Sequence, residues 1–119
     1  MIFIKFNDNV IHYHKSFDEI TKLDNYDEII LINCWSIDKL PELPRLLKYL
    51  YCNDNSLSSL PKLPDSLVRL NCEFNNLSSL PELPDSLTDL YCNNNNLSSL
   101  PELPNSLTEL DYKNNPIYS

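Results

Sequence analysis

The chain has 119 residues, 42% of them hydrophobic, and a formal net charge of −8, which is material for one globular domain with a single core. Only nine residues are basic and none lies in a run, an argument against nucleic acid or an anionic membrane as partner, because both require clustered Lys and Arg. Glycine is absent, so no glycine loop can cradle a phosphate.

The first 28 residues do not repeat. Met1-Ile2-Phe3-Ile4 is too brief for the apolar part of an export signal, and Lys5 follows it instead of preceding it; a cytoplasmic location, or secretion by a route that reads no such signal, is the expectation. Ile2, Phe3, Ile4 and Phe6, then Val10, Ile11 and Tyr13, flank Asn7-Asp8-Asn9, the pattern of a β-hairpin with a short polar turn. Ser16 with Glu19 three residues on is a capping box, and Phe17, Ile20 and Leu23 share one face of a short helix ending near Asp24. Hairpin and helix together predict an N-terminal cap. His12 and His14 share one strand face near Asp8; a metal needs further ligands that the sequence does not supply, so they read as surface histidines of the cap.

From residue 29 to 119 a repeat takes over. Leu60-Pro61-Lys62-Leu63-Pro64 returns as Leu80-Pro81-Glu82-Leu83-Pro84 and as Leu100-Pro101-Glu102-Leu103-Pro104, without insertion or deletion. A fixed period of this size means stacked units, each too small to bury its own apolar face. The register is Leu47-x-x-Leu50-x-Cys52-x-x-Asn55-x-Leu57, again from Leu67, Leu87 and Leu107. An imperfect copy from Ile29 places Ile32 and Cys34 inward, with Cys34 and Cys52 18 residues apart, so the first of four to five coils reads as two residues short.

Alternation makes a strand around Arg69 to Glu73, with Leu70 and Cys72 inward and Arg69, Asn71 and Glu73 outward. Two prolines three apart disfavour helix and hold the return arm extended, close to polyproline II. Asn55, Asn75, Asn95 and Asn115 stand where each coil turns inward, and their amides both donate and accept, which predicts a continuous asparagine ladder. Cys34, Cys52, Cys72 and Cys92 fall in one inward column. Reduced core thiols, a disulfide and a metal site are the three readings; the spacing suits the first, since zinc sites use close cysteine pairs and parallel side chains suit a disulfide poorly.

The pattern LxxLxLxxNxL, here with cysteine at the sixth position, resembles the leucine-rich repeat. The twenty-residue length, with LPxLPxSL between copies, is similar to its shortest, bacterial-type class, found in type III secreted effectors and, in related form, in giant DNA viruses. The resemblance covers residues 29 to 119. Cysteine departs from the Val or Leu usual in its column, and the ubiquitin-ligase domain of some such effectors is not among these residues. The resemblance implies a mostly β, α/β-class right-handed solenoid with parallel strands on a concave face. It also implies recognition of a protein partner, no catalysis, no cofactor, and a host-cell cytoplasmic setting.

Register places Trp35, Tyr49, Tyr51, Arg69, Glu73, Phe74, Asp89 and Tyr91 on or beside that strand face. Folding does not demand large aromatics there, and Trp and Tyr are frequent anchors; cross-strand packing is the competing explanation. These eight are the candidate partner-binding residues. Two other readings stand beside them. One is a substrate-targeting part of a ligase-type effector whose catalytic domain lies elsewhere. The other is a structural protein that self-assembles through its last coil or the hairpin edge.

Overall fold

A computed structural model describes the backbone of residues 2–5, 11–14, 29–32 and 38–118, and side chains from 38 to 117. The turn expected at 7–9, the helix expected over 16–23, Cys34 and Trp35 lie outside the described residues. The strands are β1 (Ile2–Lys5), β2 (Ile11–His14), β3 (Ile29–Ile32), β4 (Tyr49–Tyr51), β5 (Arg69–Asn71), β6 (Asp89–Tyr91) and β7 (Glu109–Asp111). They form one sheet in the order β2-β1-β3-β4-β5-β6-β7. β1 is antiparallel to both β2 and β3, and every pair from β3 to β7 is parallel. A chain that returns along a back arm before each new strand must lay its strands in one direction; only the hairpin reverses.

Leu50, Leu70, Leu90 and Leu110 occupy one register column. The parallel stack buries whole columns of like residues: Leu47, Leu67 and Leu87; Leu50, Leu70 and Leu90; Cys52, Cys72 and Cys92; Leu57, Leu77 and Leu97. Leu80 is only half-buried, as are Leu60 and Leu100. β5 is also shorter than the span expected to Glu73. Inter-coil hydrogen bonds nonetheless run past the strands: the Cys52 amide donates to the Asn71 carbonyl at 2.9 Å and the Asp54 amide to the Glu73 carbonyl at 3.0 Å. Between strands the described arms carry neither helix nor strand until a 3-10 turn at Pro116–Tyr118. Each arm closes on a turn in which Leu47, Leu67, Leu87 and Leu107 donate to the carbonyls of Pro44, Pro64, Pro84 and Pro104 at 3.1–3.2 Å.

The register corrects one expectation. Ile30, not Ile32, pairs with Leu50, so the first coil keeps the twenty-residue spacing and is not two residues short. Ile29 thereby joins the outward column of Tyr49. The sequence could not decide, because a slip of two residues keeps side-chain alternation intact. His12 and His14 pair with Ile4 and Ile2, which pair with Ile30 and Ile32; their side chains lie outside the described residues.

Cys52, Cys72 and Cys92 are buried, unbridged thiols. Desolvation pushes Cys52 and Cys92 up to about 12 and raises Cys72 as well. A thiol raised in the folded state contributes stability that is full below its unfolded value, near 9, and is lost as pH climbs toward the folded value. The chain should therefore lose stability between about pH 9 and pH 12. Cys52, Cys72 and Cys92 should resist iodoacetamide in native protein at pH 8 and react stoichiometrically in urea; rapid labelling of any of these three in the folded chain, located by peptide mapping, would contradict this burial.

At the far end, burial runs out. Leu103 is 41% exposed where its equivalents Leu63 and Leu83 are 3% and 6%, and Leu107, Leu110 and Tyr112 are only half-buried.

Candidate recognition face

Opposite the leucines, two columns cross the sheet. One holds Ile29, Tyr49, Arg69, Asp89 and Glu109; the other holds Leu31, Tyr51, Asn71, Tyr91 and Asp111. Alternation alone sets this, since each residue neighbours one that enters the core. Tyr49, Tyr51, Arg69 and Tyr91 are half-exposed.

Arg69 ties three coils together. Its Nε donates to Asp89 Oδ2 at 2.7 Å and its Nη1 to the Tyr51 hydroxyl at 3.3 Å. These contacts, Tyr51 first and Asp89 second, hold the guanidinium charged. Asp89 is only 7% exposed, so its carboxylate is turned to Arg69 rather than outward. Burial, reinforced by Asp89 and Glu109, raises the Tyr91 phenol above its ordinary value; it remains a hydrogen-bond donor at neutral pH.

Beyond β4 to β7 the chain turns each time through a left-handed residue: Asp54, Phe74, Asn94 and Asn114, with φ of 58°, 55°, 57° and 57°. Asp and Asn visit this region readily, whereas a bulky Phe there is an uncommon outlier. The next residue is the ladder asparagine. Asn75 Nδ2 donates to the carbonyls of Cys52 at 3.0 Å, Cys72 at 3.0 Å and Glu73 at 3.2 Å, while its Oδ1 accepts the Leu57 amide at 3.0 Å. Asn95 and Asn115 repeat the arrangement one and two coils on, and Asn55 donates to the Cys52 carbonyl at 2.9 Å.

Six of the eight candidates therefore lie at a surface: Tyr49, Tyr51, Arg69 and Tyr91 on the sheet, Glu73 half-exposed at its margin and Phe74 exposed beyond it. Asp89 is buried under Arg69, and Trp35 is outside the described residues. Sequence reasoning missed a second ladder. Ser66, Ser86 and Ser106 hydroxyls donate to the carbonyls of Leu47, Leu67 and Leu87 at 2.6–2.7 Å, and their recurrence before Leu67, Leu87 and Leu107 was the available signal. On the back arm a shallow depression of about 510 Å³ is lined by Leu63, Pro81, Leu83 and Pro84 with Asp65, Glu82 and Asp85 at its margin. Lys62 stands among its acids, all of them surface groups, and no Ser, Thr, Cys or His lines it. Among the described residues no group of His, Cys, Asp and Glu is placed to hold a metal, and no helix is long and apolar enough to cross a membrane.

No protein-family model and no curated protein matches the sequence. Solved structures do. YopM from Yersinia enterocolitica is similar over 71% of this chain at 46% identity, with a TM-score of 0.69. The leucine-rich-repeat domain of a Shigella effector is similar over 82% at 35% identity, also with a TM-score of 0.69. The chain spans 19% of the first of those chains and 56% of the second.

Proposed function

Because this chain belongs to the short, bacterial-type class of leucine-rich repeat, we propose that it is a non-catalytic module that binds a protein partner across its strand face. A protein-interaction role in general follows from the repeat class itself. The observation that supports the strand face is the row of half-exposed tyrosines, Tyr49, Tyr51 and Tyr91, around an Arg69 already fixed by Tyr51 and Asp89. Rigid aromatics that need no reordering make efficient anchors. A net charge of −8 supports a protein partner over nucleic acid or an anionic membrane. Likeness to an effector domain supports the cytoplasm of a host cell as the setting; fractionation of cells producing the tagged chain checks this.

Tyr51→Ala combined with Tyr91→Ala should reduce partner capture by at least about tenfold while the melting temperature moves by no more than a few degrees. Unchanged capture by a folded double variant would move the interface off the sheet.

A further inference from the structure

Phe74 does nothing visible for the fold. Its backbone amide keeps the inter-coil hydrogen bond to the Asn93 carbonyl at 3.1 Å, a bond any residue but proline would make. The residue is 50% exposed. Its φ of 55° lies in the left-handed region that the other three coils fill with Asp54, Asn94 and Asn114. Those residues suit the position for a chemical reason: a short polar side chain finds a local partner there. Asn53 Nδ2 donates to Asp54 Oδ2 at 2.8 Å, and Asn114 Nδ2 to Asn94 Oδ1 at 3.2 Å. A phenyl ring has no such compensation, so phenylalanine is strained where asparagine would be at rest.

We infer that Phe74 is the anchor of a recognition ridge along the left-handed turns, and that it enters an apolar recess bordered by cationic groups on a protein partner. This rests on the protein-binding reading above but moves the main contact from the sheet to its margin. The partner's charge follows from what surrounds the ring. Asp54 is exposed at the equivalent position one coil earlier, Glu73 is half-exposed beside it, and positions 53, 54, 73, 93 and 94 hold no basic residue. An apolar projection rimmed by carboxylates is complementary to a pocket rimmed by Lys or Arg.

A random peptide library displayed on phage, selected against the folded chain, tests this. Enriched peptides should combine an aliphatic or aromatic residue with Lys or Arg. They should bind Phe74→Asn at least about tenfold more weakly and Asp54→Asn several-fold more weakly, and weaken with added salt. Phe74→Asn should also melt higher than the parent, by about 4 °C, because the strain is gone. Equal binding to Phe74→Asn, with loss in Tyr51→Ala/Tyr91→Ala, would overturn this inference and leave the sheet-face reading standing. Acidic consensus peptides, or a lower melting temperature for Phe74→Asn, would also overturn it. A parent that self-associates only when Phe74 is present would make the occupant a second copy and defeat the inference; no enriched peptide at all would defeat both readings.

Discussion

Leu70→Ala should destabilise the chain by about 2–5 kcal/mol, whereas Leu110→Ala should cost no more than about 1–2 kcal/mol, in equilibrium urea unfolding followed by circular dichroism. The two leucines hold equivalent register positions on β5 and β7, two coils apart with β6 between them. Leu70 is fully buried between Leu50 and Leu90, while Leu110 has a coil on one side and is half-buried. A cavity at Leu70 cannot close easily. The backbone beside it is pinned to both neighbours, by the Cys52 amide to the Asn71 carbonyl at 2.9 Å and by the Cys72 amide to the Tyr91 carbonyl at 2.8 Å. A void that cannot collapse costs both the lost transfer energy and the lost contacts. The ratio between the variants matters more than either value, since it measures how much burial comes from neighbouring coils. Equal costs would mean that each coil is stabilised from within, and mutual burial would no longer explain why the coils stack.

What could be read from the sequence was whatever recurs. The twenty-residue period, the paired prolines and the leucine and cysteine columns fix parallel strands and extended arms, because the same physics repeats in each coil. What could not be read falls into two kinds. One is degeneracy: pairing Ile30 or Ile32 with Leu50 preserves the same alternation, so only the folded chain chooses. The other is the individual residue inside a repeated position. Asp89 occupies an outward column and looks available from its neighbours, yet Arg69 lies over it at 2.7 Å. Phe74 looks like one more surface aromatic until the three equivalent positions prove to share its left-handed backbone. A repeat describes the average coil, and recognition depends on departures from that average.

Asn75 is where the average coil is most sensitive to change. Asn75→Ala should cost about 3–4 kcal/mol, because it strips partners from several buried groups at once. The Leu57 amide loses its acceptor, and the carbonyls of Cys52 and Cys72 lose a donor; each unsatisfied buried group carries about 1–3 kcal/mol, partly relieved by the Cys52 and Cys72 carbonyls' other donors, Asn55 and Asn95. Asn75→Asp isolates the donor side of that bond set. It keeps an oxygen for the Leu57 amide but turns a carboxylate toward three carbonyls, which opposes ionisation and raises the introduced group above its unfolded value near 3.9. Stability tied to a raised group is present below the unfolded value and is lost as pH rises through the folded one. The Asn75→Asp chain should therefore be more stable relative to the parent at pH 3 than at pH 7, the reverse of the usual behaviour of a paired surface carboxylate. Urea midpoints for both proteins at the two pH values make the comparison. A deficit that is the same at both would show that the asparagine is held by packing and not by the carbonyls it faces.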